Sequence, residues 1–153
     1  MPAELMFYLV SDARLPGDLN ALVPTLLEKI LAGGHQALVR CPDAAWAEQL
    51  NEALWQHTPS SFLPHGGPKD ATPEQQPVYI TAGQENPAGA RMLLRLNGAP
   101  SEDIDAFDRV FDLFMGTDSE RQAGRTRYKH FREKEYPLKI FTYTNGRWEP
   151  LAT

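Results

Sequence analysis

Apolar residues come in short runs and helical stripes along this chain, and their order predicts alternating strands and helices. Leu5 to Val10 is an apolar run containing Phe7 and Tyr8, followed by the turn formers Ser11, Asp12, Pro16 and Gly17, so the chain opens on a buried strand. From Asp18 onward Leu19, Leu22, Val23, Leu26, Leu27 and Ile30 recur at helical spacing, and Gly33-Gly34 supplies the stop. Pro24 lies inside this stretch and predicts a kink or a late helix start. Ala37 to Cys41 is a second apolar run, after which Pro42-Asp43 caps a helix carrying Ala44, Ala45, Trp46, Leu50 and Leu54 on one face. Strand, helix, strand, helix is the signature of an α/β fold. It predicts a single three-layer domain, a mostly parallel twisted sheet with helices on both faces and right-handed crossovers.

Residues 56–77 are rich in Pro, Gly, Ser and Gln without periodicity and read as a long loop. Val78 to Thr81 and Met92 to Asn97 read as further strands, separated by a connection bearing Gly and Pro. The apolar positions of Phe107 to Phe114 fit a helix or a strand, and we read this stretch as a strand. Thr117-Asp118-Ser119-Glu120 has the spacing of a capping box and predicts a helix running to about Glu135, before Pro137. Near the end, Asn145-Gly146 between Ile140–Thr144 and Arg147-Trp148 is the signal of a tight hairpin. The expected organisation is one domain over residues 1–136 and a C-terminal extension over 137–153 carrying that hairpin.

Composition narrows the setting. A chain of 153 residues, 42% hydrophobic and 23% charged, has the make-up of an ordinary single globular domain. It contains no run of the length a membrane span needs, and its start lacks the basic-then-apolar layout of a secretion signal, so a cytoplasmic protein with no membrane partner is expected. Cys41 is the only cysteine, which rules out an internal disulfide and paired-cysteine metal sites. A formal charge of -5 argues against broad binding to DNA phosphates, which draws its free energy from Lys and Arg releasing counterions.

The search for reactive chemistry returns little. The connection after the first strand, Ser11 to Gly17, has neither the dinucleotide glycine pattern nor the Gly-Lys-Ser/Thr of a phosphate loop, so the fold is expected to resemble nucleotide-binding domains without that loop. Cys41 stands at a strand end, where a nucleophile could sit, but a small buried side chain is the simpler reading because no base can be assigned to it. His65-Gly66-Gly67 resembles an oxyanion-hole segment, yet the chain has no Gly-x-Ser-x-Gly elbow. His35, His57 and His130 show no metal-ligand spacing. Acid pairs such as Glu102-Asp103, and Asp118 with Glu120, read as solvated turns and helix starts. No catalytic residue, metal or cofactor is expected.

Positive charge is concentrated late in the chain. Six of the fifteen Lys and Arg residues fall between Arg121 and Lys134. At about 100° per residue, Arg121, Arg125, Tyr128, Lys129 and Arg132 share one arc of the helix, opposite Ala123, Gly124 and Phe131. Such a stripe is either an ordinary solvated face or a docking site. Arginine forks beside a tyrosine suit a small acidic element with an apolar residue, such as a peptide carboxyl terminus.

Four segments, in order, resemble the chi subunit family of bacterial DNA polymerase III: Phe7-Tyr8-Leu9, Glu52-Ala53-Leu54-Trp55, Ser61-Phe62-Leu63-Pro64-His65 and Arg127-Tyr128-Lys129. The resemblance spans roughly residues 5–135. It implies a non-catalytic clamp-loader subunit with two docking surfaces. One would take the acidic C-terminal tail of single-stranded DNA-binding protein on Arg121, Arg125, Tyr128, Lys129 and Arg132, with Phe114 as an apolar floor. The other would engage the clamp-loader psi subunit or a helicase-like partner through Trp55, Phe62, Pro64 and His65. DNA would be met only indirectly. Two readings of other classes stand beside it: a small hydrolase or transferase using Cys41 or His65, and a module binding single-stranded DNA directly through the basic face.

Overall fold

A computed structural model describes residues 3–55, 77–144 and 146–150 of the chain. In chain order the elements are strand β1 (Glu4–Val10), helices α1 (Pro16–Asn20) and α2 (Val23–Ala32), strand β2 (Ala37–Arg40) and helix α3 (Ala44–Trp55). Strands β3 (Val78–Thr81) and β4 (Met92–Leu96), a short 3-10 turn (Ile104–Ala106), strand β5 (Arg109–Met115), helix α4 (Asp118–Glu133), and strands β6 (Leu138–Thr144) and β7 (Arg147–Pro150) complete it. The seven strands form one sheet in the order β3-β2-β4-β5-β1-β6-β7. All neighbouring pairs run parallel except β6 with β7. This is the α/β fold expected from the alternation.

Two apolar cores flank the sheet. On one face Leu19 of α1, Val23, Leu26, Leu27 and Ile30 of α2, and Trp46, Leu50 and Leu54 of α3 pack on Met6, Val39, Leu94 and Leu113. On the other, Phe131 of α4 joins Ile104 and Phe107 over Leu5, Phe7, Leu38, Leu93 and Val110. The central strands are therefore buried on both sides, which is why their sequences read as continuous apolar runs. Among the described residues no helix is long and apolar enough to cross a membrane.

Local chemistry explains most element boundaries. Pro24 stands in the first turn of α2, where its missing N–H removes no intrahelical bond, so the stretch expected as one helix is two. Gly34, at φ +83°, closes α2 in a conformation that favours glycine. Strand β4 stops one residue short of the expected Asn97, which turns to φ +49° and offers its side-chain oxygen to the Met115 N–H at 3.2 Å. Residues 109–115 are the strand preferred for that stretch.

Within residues 137–153, expected as a C-terminal extension, Leu138–Thr144 and Arg147–Pro150 are strands of the same sheet. β6 pairs in parallel with β1 from Leu5↔Leu138 to Val10↔Tyr143. Leu138 and Ile140 pack against one core, while Phe141, Tyr143 and Trp148 pack against the other. β7 then pairs antiparallel with β6, with Tyr143↔Trp148 as a cross-strand pair whose ring centroids are 4.8 Å apart.

Candidate functional site

Helix α4 begins where β5 ends. Thr117 has the extended backbone of an N-cap, and its hydroxyl accepts the Glu120 N–H at 3.4 Å. Asp118 and Glu120 place negative charge in the first turn, where the helix dipole favours it. At the other end Glu135 takes φ +62° and the Tyr136 N–H returns to the Phe131 carbonyl at 3.1 Å, ending the helix without a glycine.

The inward face of α4 is made by Gly124, Arg127, Tyr128 and Phe131. Gly124 and Phe131 are buried, and Gly124 rests directly on the Phe114 ring. The Tyr128 ring meets Phe7 edge-on at 5.5 Å. Arg127 Nε and Nη2 donate to the two carboxylate oxygens of Asp112 at 2.9 and 3.0 Å.

The outward face is an open groove of about 490 Å³ lined by Asp118, Arg121, Gln122, Arg125, Thr126 and Lys129. Arg121, Arg125 and Lys129 recur at four-residue spacing, so three cations stand one above another along it. Arg121 is steadied by donating Nε to the Gly116 carbonyl at 2.9 Å. Arg125 and Lys129 are exposed, as is Arg132 one turn further on. Tyr128 is half-buried on the inward flank. Phe114, only 3% exposed, supports the helix from beneath and does not reach the groove. Asp118, Gln122 and Thr126, which the charge stripe did not single out, complete the lining.

Trp55 ends α3, but its side chain, with Phe62, Pro64 and His65, lies outside the described residues. Cys41 is buried in the core under α1–α3, and burial, followed by the charge of Asp43, pushes its thiol up to about 12. Almost no thiolate exists there at neutral pH, which does not suit a nucleophile. Among the described residues no group of three or more His, Cys, Asp or Glu side chains is gathered for a metal ion.

A second feature was missed by reading residues singly. Thr81, Arg40, Arg95 and Asp112 stand side by side on β3, β2, β4 and β5, a polar row crossing an otherwise apolar face. Arg40, 1% exposed, is forked to Asp103 and donates Nη2 to the Gln84 carbonyl at 2.7 Å. Asp103 is thus an ion-pair partner rather than a plain solvated turn residue. Glu85 accepts from Thr81 and Tyr79 at 2.7 and 3.0 Å. The signal was available: Arg40, Arg95 and Asp112 each interrupt an apolar run, and a charge in a buried strand needs a partner.

Residues 2–139 match the family model described as DNA polymerase III chi subunit, HolC. The chain is similar to the DNA polymerase III subunit chi of Escherichia coli, 30% identical over 141 residues that cover 90% of this chain and 96% of that protein. It is 29% identical to the subunit chi of Haemophilus influenzae over 139 residues, covering 90% and 96% of the two chains. With that of Pseudomonas aeruginosa it shares 29% over 133 residues, 86% and 91% of the two.

Proposed function

Because the chain belongs to the DNA polymerase III chi subunit family, an accessory rather than a catalytic part of that polymerase, we propose that it is a docking adaptor. In this reading its α4 groove takes the acidic C-terminal tail of single-stranded DNA-binding protein and so links the clamp loader to coated single strands. The observation that carries it is the row of Arg121, Arg125 and Lys129 along one open groove, on a protein whose formal charge is -5. A short row of guanidinium and ammonium groups on an acidic body favours a compact anionic peptide end over a long phosphate backbone, which would meet repulsion beyond the helix. Gln122 and Thr126 between the cations offer hydrogen bonds to the peptide's own backbone.

Titration of the protein with a labelled acidic peptide, ending in an apolar residue with a free carboxylate, tests this directly. Binding should weaken as salt rises and fall about tenfold in Arg125→Ala, the loss of one charge-assisted hydrogen bond. A bare single-stranded oligonucleotide should bind poorly. Tight oligonucleotide binding without peptide binding would replace the adaptor reading with direct recognition of DNA.

A second surface, toward the psi subunit or a helicase-like partner, is assigned to Trp55, Phe62, Pro64 and His65 on the family resemblance. Phe62→Ala should abolish co-purification with that partner and leave peptide binding intact. Loss of both together would point to a folding defect instead.

A further inference from the structure

We infer that Asp112, through its fork to Arg127, is the positioning residue that sets how α4 presents its cations. The groove's hold on an anionic chain end then depends on a buried carboxylate that never touches the ligand. The inference rests on the docking reading above.

Asp112 lies in the middle of β5 and is 1% exposed. A carboxylate so placed must find cations, and it has two. Arg127 descends from α4 and bonds both oxygens, a planar fork that fixes direction as well as distance. Arg95, directly beside Asp112 in register on β4, brings Nε to 3.5 Å of Oδ2, and that Nε has no hydrogen-bond partner. One carboxylate thus serves as shared counter-charge for two guanidiniums.

Arg127 has little freedom elsewhere. Its guanidinium carbon lies 5.3 Å from the centre of the Phe114 ring. The chain at Gly98 closes over it at φ +73°, where an added Cβ would come 2.8 Å from Nη1. The remaining contacts of α4 with the sheet are less directional. Gly124 has no side chain to key the helix, and the ring contacts of Tyr128 and Phe131 constrain its register less sharply than two parallel hydrogen bonds.

Helix geometry turns that restraint into function. Successive residues advance about 100°, so Arg125 and Lys129, two positions to either side of Arg127, point about 160° away from it and only about 40° from each other. Fixing Arg127 against the sheet therefore turns both groove cations outward together. A roll of the helix would swing one toward the sheet and part them from a common ligand. Arg127 itself is a poor direct ligand, being 15% exposed and already committed to Asp112.

Asp112→Asn separates positioning from plain electrostatics by sign. It removes a negative charge near the groove, so Coulomb attraction alone would tighten binding of an anionic peptide. Positioning requires the reverse. The full chain and each variant are titrated with the labelled acidic peptide at a temperature where circular dichroism shows them folded, and amide hydrogen exchange is followed in α4, β1 and β5. Asp112→Asn should bind at least about fivefold more weakly, and its α4 amides should exchange faster while β1 and β5 keep their protection. Arg127→Lys, which keeps the charge and loses the fork, should weaken binding about threefold or more. Equal or tighter binding in Asp112→Asn, unchanged binding in Arg127→Lys, or unaltered α4 exchange in both would overturn the inference. Absence of peptide binding by the wild-type chain would sink the docking reading instead, and the exchange data would still decide whether Asp112 holds the helix.

Discussion

Gly124 packs directly against the Phe114 ring: a Cβ placed at residue 124 would stand 2.6 Å from Phe114 Cε2. Glycine here costs about 1 kcal/mol of helix propensity relative to alanine, and what it gains is the close seating of α4 on the sheet. Gly124→Ala should therefore destabilise the protein despite its better helix propensity. A penalty of about 1–3 kcal/mol for crowding a packed ring outweighs the propensity gain and leaves a net loss of about 1 kcal/mol in urea unfolding. Adding Phe114→Leu should lessen the crowding term, so that the two substitutions are not additive. Strict additivity would show that residue 124 and the ring do not compete for space.

The thiol of Cys41 should be unreactive in the folded protein. It is buried, and its pKa is pushed up to about 12 by burial and the Asp43 charge. At pH 8 a disulfide reagent should label the native chain far more slowly than the chain in denaturant, with a rate that follows unfolding. Fast labelling of the native protein would revive Cys41 as a chemical group.

Arg40 and Asp103 predict a pH dependence. The hydrogen bond from Arg40 is the largest cause holding the Asp103 carboxyl below its ordinary value; burial opposes it, and the Arg40 charge adds to the lowering. A carboxyl with a depressed folded pKa contributes stability above its unfolded value, about 3.9, and loses that contribution as pH falls through the folded value. Asp103→Asn should cost about 2 kcal/mol at pH 7, less than the roughly 3–5 kcal/mol of a fully buried pair, because the Asp103 side chain is 37% exposed. Unfolding curves at pH 7 and pH 3 should show the gap between wild type and variant shrinking at the lower pH. A gap that is constant or widens would contradict the pairing.

Trp148 tests whether the final hairpin belongs to the body of the protein. Its ring meets Tyr8 edge-on at 4.8 Å, and Tyr8 in turn stacks on Phe141 at 5.1 Å. Trp148→Ala should lower stability by about 2 kcal/mol, below the roughly 3–5 kcal/mol of a fully buried tryptophan because this one is partly exposed. A thermal midpoint equal to that of the wild type would mean that β7 contributes nothing to the cooperative unit.

Much of the architecture could be read without coordinates because it follows from short-range rules. The apolar run at Leu5–Val10, the Pro24 break, the Thr117 cap and the Asn145-Gly146 turn signal each act within a few residues. The cation row was legible for the same reason, since Arg121, Arg125 and Lys129 are neighbours on any α-helix. Arg127 was harder. Its place among Gly124 and Phe131 puts it on the inward arc, but nothing local says that the carboxylate awaiting it is Asp112. Likewise Leu138 to Thr144 looks like a strand, while its pairing with β1 joins residues at opposite ends of the chain.

The amino-acid order by itself determined most of the strands and helices, which side of α4 carries charge, and that no phosphate loop follows β1. Tertiary structure decided the strand order, the inclusion of β6 and β7 in the sheet, the burial of Phe114 beneath Gly124, and the division of arginines into those that line a groove and those that hold the fold. The reason is physical. Periodicity and capping are interactions between near neighbours in sequence, whereas a buried charge is governed by whichever distant group the folded chain brings within hydrogen-bonding distance.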